Sequence, residues 1–484
     1  MPQVAVIGCG PVGALLANLL GIAGVETSVH EASLDAYPLP RACHLDAEIM
    51  RIFQGAGLSD QVERLVEPSR GMEFVDADGT RLFTYEDFER SPILGWCEDY
   101  VFQQPELDRV LREGLERFPN VELTLGSEVT DLDSVDARFV VACDGASSAT
   151  RRGLGIGLAD WGFDQYWLVV DLMFDDDPQL PSVIQQVCDP KRPATYVPSA
   201  HGHHRWEFRL LEGENHDQFE EHQRVRELLR PWIPDDAGEI VRAAPYRFHA
   251  VVAERWRDGR FFLAGDSAHQ MPPFIGQGMC SGIRDAANLA WKLRSVLNYG
   301  APETLLDTYE LERRSHVERC IAMSIEAGRI VSGQVTEFPT PDADESERWS
   351  RLPPLMEGIF SSGSDKRIGH QARQPRVLSN GTALLLDDVG GSDWYLVSRV
   401  PHQTGNWCQT VLVDDLVDLD SDLDLLLAGR AAVLIRPDRY VFGSANEESI
   451  GELVKTAERL VWGGVPCQSA TTKVPGLAAS VSGR

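Results

Sequence analysis

Three short turns in this 484-residue chain carry residue types that can hold a phosphorylated or redox-active ligand: Gly8-Cys9-Gly10-Pro11-Val12-Gly13, Asp144-Gly145 and Gly265-Asp266. In the first, the G-x-G-x-x-G spacing lets the backbone turn tightly at Gly8, approach a pyrophosphate at Gly10 and pack a helix on a strand at Gly13. That spacing serves dinucleotide binding only when a strand precedes it and a helix follows. Both are expected here, a strand over Gln3 to Ile7 and a helix from Val12 through Leu20. A second strand, Val25 to His30, leads to Glu31, the acid that such folds set against a ribose hydroxyl. Glu31 favours an unphosphorylated ribose, as in NAD or FAD, and the motif alone does not choose between them.

The third turn opens a longer device. The apolar run Arg260 to Ala264 reads as a buried strand, and Met279, Ile283, Ala286, Ala290, Leu293 and Leu297 recur at helical spacing after it. Between them lie the stiff Pro272-Pro273 and the loose Gly276-Gln277-Gly278-Met279. The first N–H groups of a helix have no intrahelical partner and can face an anion. The second turn ends another buried strand, Ala137 to Cys143, with Arg151-Arg152 one turn later. Gly153, Gly155 and Gly157 lack a preceding strand and a following acid, so a flexible connection is expected there.

With these three motifs in order, the chain resembles the class A flavoprotein aromatic hydroxylases, the p-hydroxybenzoate and phenol hydroxylase type. Within that group it is most similar to 3-(3-hydroxyphenyl)propionate hydroxylase-like monooxygenases, through Gln270 to Phe274, Gly276 to Met279, Cys188-Asp189-Pro190 and Arg192-Pro193. The resemblance implies FAD as cofactor, NADH or NADPH as reductant, and O2. It implies cofactor contacts from Gly8, Gly10, Val12, Gly13, Glu31, Arg41, Gln104, Val129, Asp144, Asp266, Gly276, Gly278 and Met279. Asp266 would hold the ribitol chain, and Gly276 to Met279 would aim helix N–H groups at the flavin edge that becomes negative on reduction. Arg41 as a surface charge and Gln104 as an ordinary helix-start residue are the bland alternatives.

The implied reaction hydroxylates a phenolic ring through a flavin C4a-hydroperoxide. A phenol with pKa ~10 reacts best as phenolate, so a polar group should accept or relay its proton. Tyr246 and His44 are the candidates, with Arg41 a third, and Pro273 would place a carbonyl beside the oxygen-reacting face. Tyr246 as a plain core tyrosine stays open. Cys43 stands where phenol hydroxylase has an aspartate, and Cys280 where relatives often have asparagine. Baeyer–Villiger or epoxidising oxygenation of a polyketide-like substrate and a non-hydroxylating flavin-binding sensor are the alternatives. No W-x-W-x-I-P segment suggests halogenation.

These residues need a scaffold, and the composition allows one. A chain that is 43% hydrophobic can build cores, and a net charge of −29 argues against nucleic-acid partners and anionic membranes. The nine cysteines show no CxxC and no metal-type spacing, so neither a disulfide framework nor a metal site is expected. His201-Gly202-His203-His204 reads as a solvated turn. The chain enters its first strand without a leader pattern and has no membrane-length apolar run, which points to the cytoplasm.

The expected fold is α/β: a Rossmann-like FAD-binding domain of the GR2 type over 1–71, 100–160 and 256–332. An inserted antiparallel sheet over 72–99 and 161–255 would bind the small aromatic substrate, with a hairpin at Asp78-Gly79. A linker over 333–375, rich in Pro, Ser, Asp and Glu, would lead to a thioredoxin-like domain over 376–484. Cys408 and Cys467 are too far apart to form a CxxC, so that domain is expected to be structural or to support a homodimer.

Overall fold

The computed structural model describes residues 2–39, 41–85, 93–214, 219, 222–335 and 352–463. Pro40, Cys467 and residues 336–351 of the expected linker lie outside these. Among the described residues the strands form five sheets.

The first sheet has the order Arg257–Asp258, Phe261–Leu263, Phe139–Ala142, Val4–Ile7, Thr27–Glu31, Val121–Leu125. Its central strand, Val4–Ile7, is buried along its length and pairs in parallel with both neighbours, Val4 opposite Thr27 on one side and Phe139 on the other. A strand buried on both faces and read as VAVI is what a parallel sheet covered by helices requires. The Pro11–Ile22 helix makes the crossover, with Gly10 at its N-cap and Pro11 supplying a preset φ at its first position. The Gly278–Asn298 helix packs beside it and buries Ile283, Ala286, Ala290 and Leu293, the face expected from their spacing.

The second sheet follows the order His269–Gln270, Glu239–Ala253, Leu158–Met173, His203–Arg209, Ala194–Pro198, Ile184–Val187, Met72–Val75, Arg81–Tyr85. It is antiparallel except where Ile184–Val187 runs parallel to Met72–Val75. The Asp78-Gly79 hairpin is present, with Gly79 at φ +79° and Asp76 N–H donating to Thr80 O at 2.9 Å. Period-two alternation gives this sheet two characters. Leu168, Val170, Leu172, Tyr196, Trp206 and Phe208 build a core on one face. Val169, Thr195, Arg205, Glu207, Arg242 and Tyr246 line a cavity from the sheet.

The histidine cluster is not all turn. His201 and Gly202, at φ +58° and +74°, make the turn, but His203 and His204 begin a strand. His203 is 2% exposed with Nε2 3.1 Å from Asp171 Oδ1, while His204 Nδ1 lies 2.7 Å from Tyr196 Oη. Burial pushes the His204 imidazole down to about 4. Adjacent residues on a strand face opposite ways, so one run of histidines was split between two environments.

C-terminal to residue 375, Thr382–Leu385, Arg376–Ser379 and Leu416–Asp418 form a small sheet. Cys408–Leu412, Trp394–Ser398, Ala432–Ile435 and Val441–Ala445 form a second one, against which the Ile450–Trp462 helix packs. The stretch 352–375 does not behave as a solvated tether: Leu355, Ile359, Arg367, Gln371 and Gln374 are buried. No helix among the described residues is long and apolar enough to cross a membrane.

Candidate active site

A single cavity of about 1590 Å³ runs from the glycine turn of the first sheet to the polar face of the second. Ligand pockets for one small molecule are usually ~300–1,000 Å³, so this one has room for a dinucleotide and an aromatic substrate together.

Its floor is set by the strand ends of the parallel sheet. Gly8 has φ +95°, and a Cβ there would stand 2.4 Å from Cys143 O. A Cβ on Gly13 would stand 2.0 Å from Gly8 O, so this glycine lets helix meet strand and lies beneath the cavity. Gly10 differs from both: a Cβ there meets no protein atom within 4 Å, and the same holds at Gly278. Both line the cavity, and their missing side chains leave backbone open to a ligand.

Glu31 ends its strand with Oε2 accepting from Cys9 N–H at 2.7 Å and Oε1 from Ser33 N–H at 2.9 Å, while Arg112 Nη2 stands 3.7 Å away. Each oxygen keeps lone-pair capacity for a hydroxyl donor. Asp144 accepts from Thr150 N–H at 3.0 Å through Oδ2, whereas its buried Oδ1 has no hydrogen-bond partner among the described residues. A buried carboxylate oxygen left unsatisfied fits a donor on a bound group. Asp266 opens into the cleft, and crowding by the surrounding protein raises its carboxyl above the ordinary range, with His269 and Arg41 opposing. These features fit the FAD implied by the sequence. Val129 borders the cavity and packs against the outer core of the sheet.

Val12 also lines the cavity, and its side chain fills the space that a Cβ on Gly265 or Gly282 would take. Gln104 opens the Gln104–Glu113 helix, and its Oε1 accepts from Ala42 N–H at 2.8 Å, so it holds the loop that carries Arg41. The Arg41 guanidinium stacks 4.7 Å over the Tyr37 ring, and its carbonyl accepts from Arg205 Nη1 at 2.7 Å. Met279 lines the cavity on the first turn of its helix.

The turn before that helix is closed by its own hydrogen bonds. Both proline carbonyls are engaged: Pro273 O accepts from Gly276 N–H at 2.8 Å and Pro272 O from Ser324 Oγ at 2.6 Å. Pro273 lines the cavity and closes a tight turn, with Gly276 at φ +65°. Each of these carbonyls keeps a second lone pair, so the turn is compatible with a proline carbonyl beside the reacting face. Gly276 N–H is likewise spent, which leaves the first helical N–H groups, from Gly278 on, to face a ligand.

His44 sits under this turn. Its Nε2 lies 2.6 Å from Asp99 Oδ1 and its Nδ1 lies 3.2 Å from Gly276 O. Burial alone would depress the imidazole, but the Asp99 hydrogen bond and charge, with Cys280, hold it well above its ordinary value. An imidazole held protonated is a donor and a positive charge rather than a base. Tyr246 faces the cavity with Arg242 stacked 4.6 Å over its ring.

Sequence reasoning missed several cavity residues. Asp99 had no local signature, because its partner is 55 residues away. Arg205 and Glu207 did carry a signal, polar residues alternating with Trp206 and Phe208 inside a strand. Asp171, fully buried, anchors that group: Arg205 Nε is 2.7 Å, His203 Nε2 3.1 Å and Arg242 Nη1 3.6 Å from it. Burial works against its charge, yet Arg205 leads the groups that bring the carboxyl down to about 2.

Residues 1–324 match the family described as FAD binding domain. The whole chain is 33% identical to the probable NADH-specific resorcinol 4-hydroxylase of Rhodococcus jostii, over 96% of each chain. The chain belongs to the FAD-dependent aromatic hydroxylases. It is a flavoprotein monooxygenase that takes NAD(P)H as reductant. It is also 34% identical to the 3-(3-hydroxy-phenyl)propionate/3-hydroxycinnamic acid hydroxylase of Klebsiella pneumoniae, over 95% of this chain and 94% of that protein. Among solved structures, aklavinone-11 hydroxylase in complex with FAD and aklavinone superposes with a TM-score of 0.79 at 22% identity, over 95% of this chain and 99% of that one. That likeness carries the architecture alone, and it extends through the C-terminal sheets.

Proposed function

We propose that this hydroxylase adds oxygen to a small phenolic ring held between Pro273 and the polar face of the antiparallel sheet. The observation that carries the proposal is one continuous cavity, with ligand-open glycines at one end and Tyr246, Arg205 and Arg242 at the other. The named relatives act on resorcinol and on 3-(3-hydroxyphenyl)propionate, which favours a dihydroxybenzene or a hydroxyphenyl acid and NADH.

FAD bound there supplies reduction of O2 by the nicotinamide and transfer of one oxygen atom to the ring, the other leaving as water. Gly8, Gly10, Val12 and Gly13 would seat the pyrophosphate, Glu31 the ribose, and Asp266 the ribitol, with Arg41, Gln104, Val129 and Asp144 completing the cradle. The N–H groups that begin the helix at Gly278 and Met279 would face the flavin edge. Water is excluded by Phe248, Phe274 and Trp167, whose rings pack with centroids 5.3–6.4 Å apart beside Pro273. Tyr246 would relay the phenolic proton, while the guanidinium over its ring favours the phenolate. His44, cationic, would steady negative charge near Gly276.

The domain division is 1–71, 100–160 and 256–332 for FAD, 72–99 and 161–255 for substrate, and 333–375 as the connection. The C-terminal unit, 376–484, is assigned to the thioredoxin-like class without a CxxC. Supporting this, Trp394–Ser398 runs parallel to Cys408–Leu412 and antiparallel to Ala432–Ile435, and a helix follows the last strand. A cytoplasmic homodimer is the proposed working form.

The test is NADH consumption by the FAD-loaded full chain with resorcinol and with 3-(3-hydroxyphenyl)propionate. Stimulated oxidation with a product one oxygen atom heavier is expected, and Asp266→Ala should lose bound flavin. A fully yellow Asp266→Ala protein, or phenols that yield no oxygenated product, would defeat the proposal.

A further inference from the structure

A buried chain of hydrogen bonds and ion pairs joins the C-terminal unit to the cavity turn. Tyr440 Oη donates to Glu48 Oε1 at 2.8 Å, and Gln371 Nε2 donates to the same oxygen at 2.7 Å. Glu48 Oε2 accepts from Arg284 Nε at 2.6 Å. Arg284 then donates from Nη1 to Gln277 Oε1 at 2.8 Å and from Nη2 to Asp46 Oδ2. Gln277 Nε2 closes the ring on Asp46 Oδ2 at 3.0 Å. Gln277 is the N-cap of the helix whose first turn faces the cavity, and Asp46 caps the Ala47–Gly55 helix through Ile49 N–H at 3.2 Å.

Each of Glu48, Arg284, Gln277, Gln371 and Tyr440 is at most 6% exposed, so water does not substitute for a missing partner. The electrostatics make the C-terminal donors necessary. Arg284 bridges the carboxylates of Asp46 and Glu48 through Asp46 Oδ2 and Glu48 Oε2, and leaves the buried negative oxygen Glu48 Oε1 to other donors. Such a charge is retained only if further donors satisfy it. Two of them, Tyr440 and Gln371, come from beyond the residues that carry the flavin motifs and are bridged to each other.

We propose that the C-terminal unit of this chain, together with the connection that leads into it, positions the flavin-facing turn Gly276-Gln277-Gly278, through Tyr440 and Gln371 acting on Glu48 and Arg284. These are positioning residues: none of Tyr440, Gln371 or Glu48 need touch the flavin. Their loss lets Arg284 recentre on Asp46 and Glu48, and Gln277 then loses a fixed donor. The ends of the turn shift while the remaining FAD contacts persist.

The inference rests on the proposed flavin reading, so the wild-type holoenzyme is tested first, by FAD binding and phenol-stimulated NADH oxidation. If wild type fails both, that reading falls and the variants are not needed to show it. In Tyr440→Phe and Gln371→Leu, FAD affinity should fall about fivefold or more, the scale of a modest coupling between sites. More of the NADH oxidised should also yield hydrogen peroxide, its hydride supplying two electrons and one proton to O2 and solvent the second proton, while KM for the phenol stays near wild type. Thr410→Val is the control. It removes a hydroxyl that donates to His402 O at 3.0 Å, both residues lying within the C-terminal unit. Thr410→Val should lower the melting temperature without moving FAD affinity or peroxide yield. The inference is overturned if Tyr440→Phe and Gln371→Leu fold with unchanged FAD affinity and coupling. It is equally overturned if Thr410→Val shifts both as much as they do, since general loosening would then explain the effect.

Discussion

His44 and Asp99 form a close pair, Nε2 to Oδ1 at 2.6 Å, directly beneath the carbonyl of Gly276. Asp99 holds the imidazole protonated against the pull of burial. Because the folded value is raised, the stability linked to this proton is fully present below the ordinary histidine pKa of ~6.5 and is lost as pH rises through the raised one. In Asp99→Asn the alkaline inflection should move down toward neutral, in both the melting temperature and the phenol-stimulated NADH oxidation. pH series of wild type and variant check this, and coincident profiles would mean that another group titrates.

Gly10 and Gly13 lie three residues apart in the same motif and should fail in different ways. A methyl group at Gly13 meets Gly8 O at 2.0 Å, so Gly13→Ala should destabilise the fold by about 1–3 kcal/mol or more. At Gly10 a methyl group meets no protein atom. Gly10→Ala should therefore melt like wild type without flavin and bind FAD far more weakly. Melting curves with and without FAD separate the two.

That contrast also shows what could be read from the sequence. The glycine turn, its strand and its acid were legible because local spacing dictates them, and the same is true of the hairpin at Asp78-Gly79. The donors to the Pro272 and Pro273 carbonyls were not legible, because three-dimensional closure rather than residue type sets them. Asp99 was invisible because the hydrogen bond that defines its role links strands distant in sequence. His203 was taken for turn because strand alternation was not extended back into the histidine run. Arg205 and Glu207 were within reach, as polar positions recurring every second residue against Trp206 and Phe208.

Asp171 concentrates charge under the substrate face. Arg205 brings its carboxyl to about 2, so its contribution to stability is present above the ordinary aspartate pKa of ~3.9 and lost as pH falls through about 2. Asp171→Asn leaves Arg205, Arg242 and His203 around a neutral amide. Breaking such a group typically costs about 3–5 kcal/mol. Because Arg205 and Arg242 line the cavity from the sheet, KM for the phenol should rise while FAD affinity changes little. Denaturant titration and steady-state kinetics on the holoenzyme check both halves.

Glu312 ties three parts of the chain together in the interior. Its carboxylate accepts from Lys292 Nζ at 2.9 Å, Asn288 Nδ2 at 2.7 Å, Arg436 Nη2 at 2.7 Å and Ile359 N–H at 2.8 Å. Burial would raise its carboxyl, but Arg436 and Lys292 hold it far below the usual carboxylate range. Glu312→Gln leaves buried Lys292 without its carboxylate and Arg436 with Asp438 alone, and should cost about 3–5 kcal/mol. Lys292→Met should cost less, because Arg436 still pairs with Glu312 and burial has already brought the Lys292 ammonium down to about 8. Since Arg436 and Ile359 lie beyond the flavin-motif residues, Glu312→Gln should also uncouple the C-terminal unit. Calorimetry should then resolve two transitions where wild type and Lys292→Met show one; a single transition in Glu312→Gln would place the coupling elsewhere.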